Sequence, residues 1–213
     1  MTALVAAEAQ GGRVLVGISD RGQMIGVTLG KETLNEWLGQ IKSATSPAYL
    51  AVMPTNLYGP GDNYHPENSH VIPALIRKFH AAKQSNAPTV TVWGSGTPRR
   101  EFLYSDDMAD ACVFLMNLPD EKYQTLLGSD EARTGVFMPP VVNIGVGEDV
   151  TIKELSETVT KIVGFNGQIA FDTSKPDGSP RKLMNIERLN AAGWKPRTSF
   201  RDGLALAYDD FRS

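Results

Sequence analysis

Residues 48–60, AYLAVMPTNLYGP, decide the fold. Ala48 to Met53 is a short apolar run that reads as a strand, stopped by Pro54-Thr55-Asn56. Leu57 to Asn68 is a loop rich in Gly, Pro, Asn and His, longer than a connection requires, and long ordered loops are often functional. Asn68 or Ser69 can cap a helix running to about Gln84, with Val71, Leu75 and Phe79 on one face and Pro73 tolerated in its first turn. A strand followed by a long loop and a helix is the unit of an α/β fold.

The same alternation continues. Thr89 to Trp93 is a strand and Gly94 to Arg100 a turn, with Arg99 and Arg100 in it and Lys78 further back. Glu101 to Tyr104 is a strand, and Ser105 caps a helix with Asp106 and Asp107 in its first turn, where the helix dipole favours anions. Met108, Cys112, Leu115 and Met116 form the buried stripe of that helix. Tyr123 to Pro140 is polar and irregular, and Val141 to Ile144 is a strand. Thr151-Ile-Lys-Glu154 is a capping box opening a helix with Ile152, Leu155, Val159 and Ile162 inward, closed by Gly164. Gln168 to Phe171 is a strand, Asp172 to Lys182 a polar loop, and Asn185–Ala192 and Ser199–Phe211 are helices.

Residues 1–47 read differently. Arg13 to Ser19 and Met24 to Leu29 form a hairpin about the Asp20–Gln23 turn, and Leu34, Trp37, Leu38 and Ile41 mark one face of a helix. Two domains are expected, 1–47 and 48–213, joined near Ser46 to Leu50.

Composition narrows the function. The 213 residues carry 21 Lys+Arg against 24 Asp+Glu, a net charge of −3, which argues against a general binder of nucleic-acid backbone. The single cysteine, Cys112, fits a reducing compartment, and no signal peptide or apolar window long enough to span a membrane is present, so a cytoplasmic protein is expected.

Several motifs lose to simpler readings. Gly26 to Glu32 is one residue short of a P-loop, and Glu32 stands where a magnesium-holding Ser or Thr belongs. Gly145-Val146-Gly147 lacks the third glycine of a dinucleotide loop and reads as a turn. His65 and His70 flank Pro66 and cannot share a helix face, so no metal site is expected. Cys112 lies on an apolar stripe as a core thiol, and His80 reads as an inert surface residue. His70, at a helix start after a long loop, reads either as a capping histidine or as a proton-transfer group. Trp93, Arg99, Arg100, Lys78, Arg181 and Lys182 lie beside loops at strand ends, where open α/β sheets bind ligands. Arg grips a diphosphate, an aromatic stacks a base, and Asp177 accepts from hydroxyls.

Met53–Pro60 resembles the Asn-x-Tyr-Gly-Pro segment of extended short-chain dehydrogenase/epimerase proteins. The stretches 62–75, 92–102 and 174–182 narrow the resemblance to the GDP-L-fucose synthases. That resemblance implies the substrate domain of an extended short-chain dehydrogenase with a truncated Rossmann portion. It also implies an NADP-dependent epimerase/reductase acting on GDP-4-keto-6-deoxymannose. Pro54, Thr55, Asn56 and Leu57 would line the nicotinamide side of the cofactor site together with His70. His70 would also be the acid/base of epimerisation. Lys78, Trp93, Arg100 and Asp177 would hold the GDP-sugar, Lys78 standing where the family more often has Arg.

The family's Gly-rich dinucleotide loop and its Tyr-x-x-x-Lys pair are absent from these residues: Tyr58 is followed at that distance by Asp62, and Tyr104 by Met108. The isolated chain is therefore expected to be catalytically impaired. The alternatives are a non-catalytic GDP-sugar-binding module or chimeric fragment, and a nucleic-acid or protein interaction module led by residues 1–47. Residues 11–27 resemble part of a Schlafen AlbA-like domain. A strand cut from its sheet presents an edge, so docking of the front hairpin or formation of a homo-oligomer is expected.

Overall fold

The computed structural model describes residues 50–127 and 140–213. The hairpin and helix expected within residues 1–47, and any docking of that hairpin on the first strand, lie outside the described residues.

Strands and helices alternate: β1 (Ala51–Pro54), β2 (Asn56–Tyr58), α1 (Val71–Gln84), β3 (Thr89–Trp93), β4 (Arg99–Arg100), β5 (Phe102–Tyr104), α2 (Ser105–Met116) and α3 (Asp120–Leu126). They continue as β6 (Val141–Ile144), β7 (Val150–Thr151), α4 (Ile152–Val163), β8 (Gln168–Asp172), β9 (Arg181–Lys182), α5 (Glu187–Ala192) and α6 (Phe200–Arg212). The pairs β1–β6, β2–β5 and β3–β8 are parallel. In a small three-stranded sheet, β4 runs antiparallel to β7 and parallel to β9. Parallel pairs need long crossover connections, which the intervening helices supply. This is an α/β fold with parallel sheets.

The chain divides into two compact units, the division falling within α2 after Ala109. The first holds, among described residues, 50–54, 110–127, 140–144 and 186–194. Val142 and Ile144 of β6 are fully buried, and α5 packs on that strand through Leu189. The Arg188 guanidinium donates to the carbonyls of Val141 and Leu126, tying α5 to β6 and to the end of α3. Trp194 Nε1 donates to Asp110 Oδ2 at 2.8 Å.

The second unit, 55–109, 145–185 and 195–213, holds a large hydrophobic cluster. Ile76 and Phe79 of α1, Leu155 and Val159 of α4, and Leu204 and Ala207 of α6 are buried in one cluster with Val90 and Val92 of β3. Its aromatic centre is Tyr58, edge-on to Phe102, Tyr104 and Phe200 at centroid distances of 6.5, 5.9 and 5.9 Å. Burial, then the charge of Asp107, raises the Tyr58 phenol well above its usual range.

Several expectations about local structure are corrected. Asn56–Tyr58 is a strand, not loop, because its partner β5 lies some 45 residues away and supplies the pairing that three residues cannot specify alone. Asp120–Leu126 is a helix that runs into the start of the Tyr123–Pro140 stretch read as irregular, with Asp120 and Glu121 in its first turn. Met116 is 52% exposed, so the buried stripe of α2 ends at Leu115. The N-cap of α1 is His70 rather than Asn68 or Ser69, and it makes no side-chain cap hydrogen bond. The capping box at Thr151 and Glu154 forms as read, and Gly164 closes α4 with φ +73°.

Candidate functional site

Strand β3 alternates exposed and buried, so the period of two that buries Val90 and Val92 turns Trp93 outward. Its indole is 67% exposed. Two cations already approach it: Lys78 Nζ from α1 stands 5.2 Å from the ring centroid, and Lys175 Nζ, from the loop after β8, 5.6 Å. Burial, then the neighbouring Arg77, lowers the Lys78 ammonium from its ordinary value.

Asp177 closes the next part of this edge. Its Oδ1 accepts from Ser95 N at 2.6 Å and its Oδ2 from Ser95 Oγ at 2.8 Å. Those bonds hold its carboxyl below the usual range. They also fasten the 172–178 loop to the turn following Trp93. Gly94 makes this approach possible: it sits at φ +84°, and a Cβ there would lie 2.3 Å from Asp177 Oδ1. One residue on, a Cβ on Gly178 would lie 3.7 Å from Arg100 Nη2, so the Arg100 guanidinium borders the same loop. Arg100 Nη1 donates to Arg99 O at 2.7 Å. Lys78, Trp93, Asp177 and Arg100, scattered over 100 residues, thus line one edge of the second unit.

Other cations of the sequence-level constellation have different work. Asp149, its side chain 3% exposed, accepts from Arg99 Nε at 2.7 Å and Arg181 Nε at 2.5 Å. This lowers the Asp149 carboxyl, Arg181 first and Arg99 second. Arg99 and Arg181 therefore clamp β4, β7 and β9 together rather than facing a ligand.

The sequence reading missed Glu101. It is fully buried. Its Oε1 accepts from Val146 N and Gly147 N at 2.6 and 2.7 Å, and its Oε2 from Met184 N at 3.0 Å. A Cβ on Gly145 would meet Oε1 at 2.3 Å. The Gly145–Gly147 turn is thus an anion nest filled by an internal carboxylate, which explains why a dinucleotide-loop pattern there is misleading. The carbonyl of Glu101 accepts from Thr55 Oγ1 at 3.2 Å and Asn56 Nδ2 at 2.7 Å. The Thr55 and Asn56 side chains are spent on fixing their own segment to β5. Glu101 lies between the two arginines and the aromatic run of 99–104, where a lone acid before an apolar strand was the available signal.

His70 is exposed; burial raises the Asp62 carboxyl, against which the Asn63 amide and then His70 act. His80 is not inert: its Nδ1 lies 3.0 Å from Tyr208 Oη, and its ring meets Phe211 edge-on, joining α1 to α6. Asp107 is more than helix-start charge, being buried and accepting from Arg197 N and Thr198 N. The Cys112 thiol is buried and raised by burial, as a core thiol. Among the described residues no group of three or more His, Cys, Asp or Glu is placed to hold a metal, and no helix is long and apolar enough to cross a membrane.

GDP-L-fucose synthase 1 of Arabidopsis thaliana is 48% identical over 194 residues, covering 86% of this chain and 55% of the plant protein. The GDP-L-fucose synthase of Escherichia coli K12 is 51% identical over 167 residues, 76% of this chain and 48% of the bacterial one. The structure of a GDP-L-fucose synthetase from Naegleria fowleri bound to NADP matches with a TM-score of 0.65 at 28% identity, over 84% of this chain and 52% of that one. The chain spans about half the length of these relatives. A family model covers residues 31–145 and so runs across the join expected near Ser46 to Leu50. That match takes in more than half of the chain and includes β1 through β6, so the chain belongs to the NAD dependent epimerase/dehydratase family.

Proposed function

We propose that this chain is the sugar-nucleotide-binding part of a GDP-L-fucose synthase-type epimerase/reductase, acting on GDP-4-keto-6-deoxymannose with NADP. The observation that carries the reading is the exposed Trp93 with the Lys78 ammonium over its ring and Arg100 beyond the Asp177 loop. A flat apolar face beside fixed cations is complementary to a base or sugar joined to a diphosphate. Lys78 binds phosphate as a point charge and Arg100 as a fork. Asp177 acts on the ligand through the loop it holds, since Ser95 already occupies both of its oxygens.

NADP supplies the hydride when bound. The residues assigned to its nicotinamide end are Pro54, Thr55, Asn56, Leu57 and His70. The fit rests on rigidity: with Thr55 and Asn56 tied to the Glu101 carbonyl, the backbone of that segment presents a fixed edge. His70 moves the proton at the carbon beside the keto group. Imidazole ordinarily exchanges protons near neutrality, and the His70 ring is exposed and not consumed by a helix cap.

Calorimetric titration with GDP tests the binding reading: a saturable heat that Trp93→Ala abolishes is expected, and absence of heat in the wild-type chain overturns it. For the isolated chain, NADPH oxidation with the keto-sugar stays at background, because the 213 residues offer no Tyr-x-x-x-Lys pair to protonate the alkoxide. Rapid loss of NADPH absorbance would favour the complete reaction over binding alone.

A further inference from the structure

We propose that Lys175 is a second diphosphate-binding residue, which with Lys78 clamps the phosphates of a nucleoside diphosphate whose base or sugar lies on Trp93. The proposal rests on the sugar-nucleotide reading above and adds a residue to it. The geometry is the evidence. Two ammonium groups, from α1 and from the 172–178 loop, converge within 6 Å of one exposed indole. Among the described residues neither Lys78 nor Lys175 is in an ion pair with a carboxylate. Asp172, the acid whose titration senses Lys175, instead accepts from Ser174 N at 3.0 Å and Ser174 Oγ at 2.6 Å.

Cation–π attraction at an exposed ring is weak, so either ammonium group can leave the ring for a charge-assisted bond to an anion. A diphosphate is the complementary shape and charge. The backbone around Lys175 is already ordered for the task. Lys175 N donates to Asp172 O at 3.2 Å on one side, and Asp177 is fastened to Ser95 on the other. The side chain itself is exposed and therefore movable. Arg99 and Arg181 are already engaged, sharing the Asp149 carboxylate.

The experiment compares GDP with guanosine by calorimetry on the wild-type chain, Lys175→Gln and Lys175→Arg, with circular dichroism as the check on folding. Loss of one charge-assisted contact predicts about tenfold weaker GDP binding for Lys175→Gln, unchanged guanosine binding, and recovery of most of the affinity in Lys175→Arg. An unchanged GDP constant in a folded Lys175→Gln overturns the Lys175 assignment while leaving the sugar-nucleotide reading intact. A loss of equal size for GDP and guanosine overturns it too, because the side chain would then act on the base face. Absence of GDP binding in the wild-type chain overturns both.

Discussion

Glu101 and Asp177 are both carboxylates that gather backbone N–H groups, yet they do opposite jobs. Glu101 is fully buried and holds three amides from two distant segments, Val146 and Gly147 on one side and Met184 on the other. Asp177 is exposed and holds one residue, Ser95, by its amide and hydroxyl. A buried carboxylate is tolerated only when its oxygens are saturated with donors, and once saturated it behaves as scaffold. An exposed one remains in competition with water, so its bonds shape a loop without holding the domain. The difference separates what keeps the second unit folded from what shapes the edge that carries Trp93.

The sharpest way to break this comparison is Glu101→Ala. It leaves three backbone donors without an acceptor, at ~1–3 kcal/mol for each unmatched buried group, for a loss of about 3–9 kcal/mol. Urea denaturation measures it, and a loss under about 1 kcal/mol would show that water replaces the carboxylate freely. Glu101→Gln should cost less, because its amide opposes only one of the donors.

Next in size is Gly94→Ala. The residue sits at φ +84°, where a Cβ costs ~1–2 kcal/mol, and the new methyl would also meet the Asp177 carboxylate. We expect a folded protein with a lowered midpoint and weakened GDP binding. Unchanged binding would mean that the 172–178 loop does not shape the site.

Asp177→Ala should lower the urea midpoint only slightly. The effect appears locally, as faster hydrogen exchange at the Ser95 amide and weaker GDP binding. A midpoint shift as large as that of Glu101→Ala would erase the distinction between the two carboxylates.

The smallest effect is in acid. Asp149, Glu154, Asp172 and Asp177 all have folded values below their ordinary ones, through Arg181 and Arg99, Thr151, Ser174 and Ser95 respectively. A depressed carboxyl contributes stability above its unfolded value, 3.8 for Asp and 4.5 for Glu, which is lost as pH falls through the folded value. Asp62, raised chiefly by burial, works in the opposite sense. The urea midpoint should be flat between about pH 8 and pH 5 and decline below about pH 4. Asp149→Asn should flatten that decline.

Much of the candidate site was legible before the structure. The Trp93, Arg100 and Asp177 stretches are long and chemically distinctive, and the alternation in TVTVW already turns Trp93 outward. What escaped was each side chain's partner. Arg99 and Arg100 are adjacent and read alike, yet Arg99 is taken by a carboxylate 50 residues away while Arg100 borders the 172–178 loop. His80 looked like a surface residue because its partner Tyr208 is 128 positions distant.

The chain's local pattern determined the α/β alternation, the strand at Thr89–Trp93, the Thr151–Glu154 cap and the closure at Gly164. Each is settled within a few residues by periodicity, by a side chain reaching its own backbone, or by a backbone angle that glycine tolerates. Only the tertiary structure decided that Glu101 fills the Gly145–Gly147 nest, that Asp177 seizes Ser95 across 82 positions, and that two lysines meet over one indole. Hydrogen bonds and charge act over a few ångströms in space with no regard to sequence distance, so partner choice waits until packing has brought the segments together.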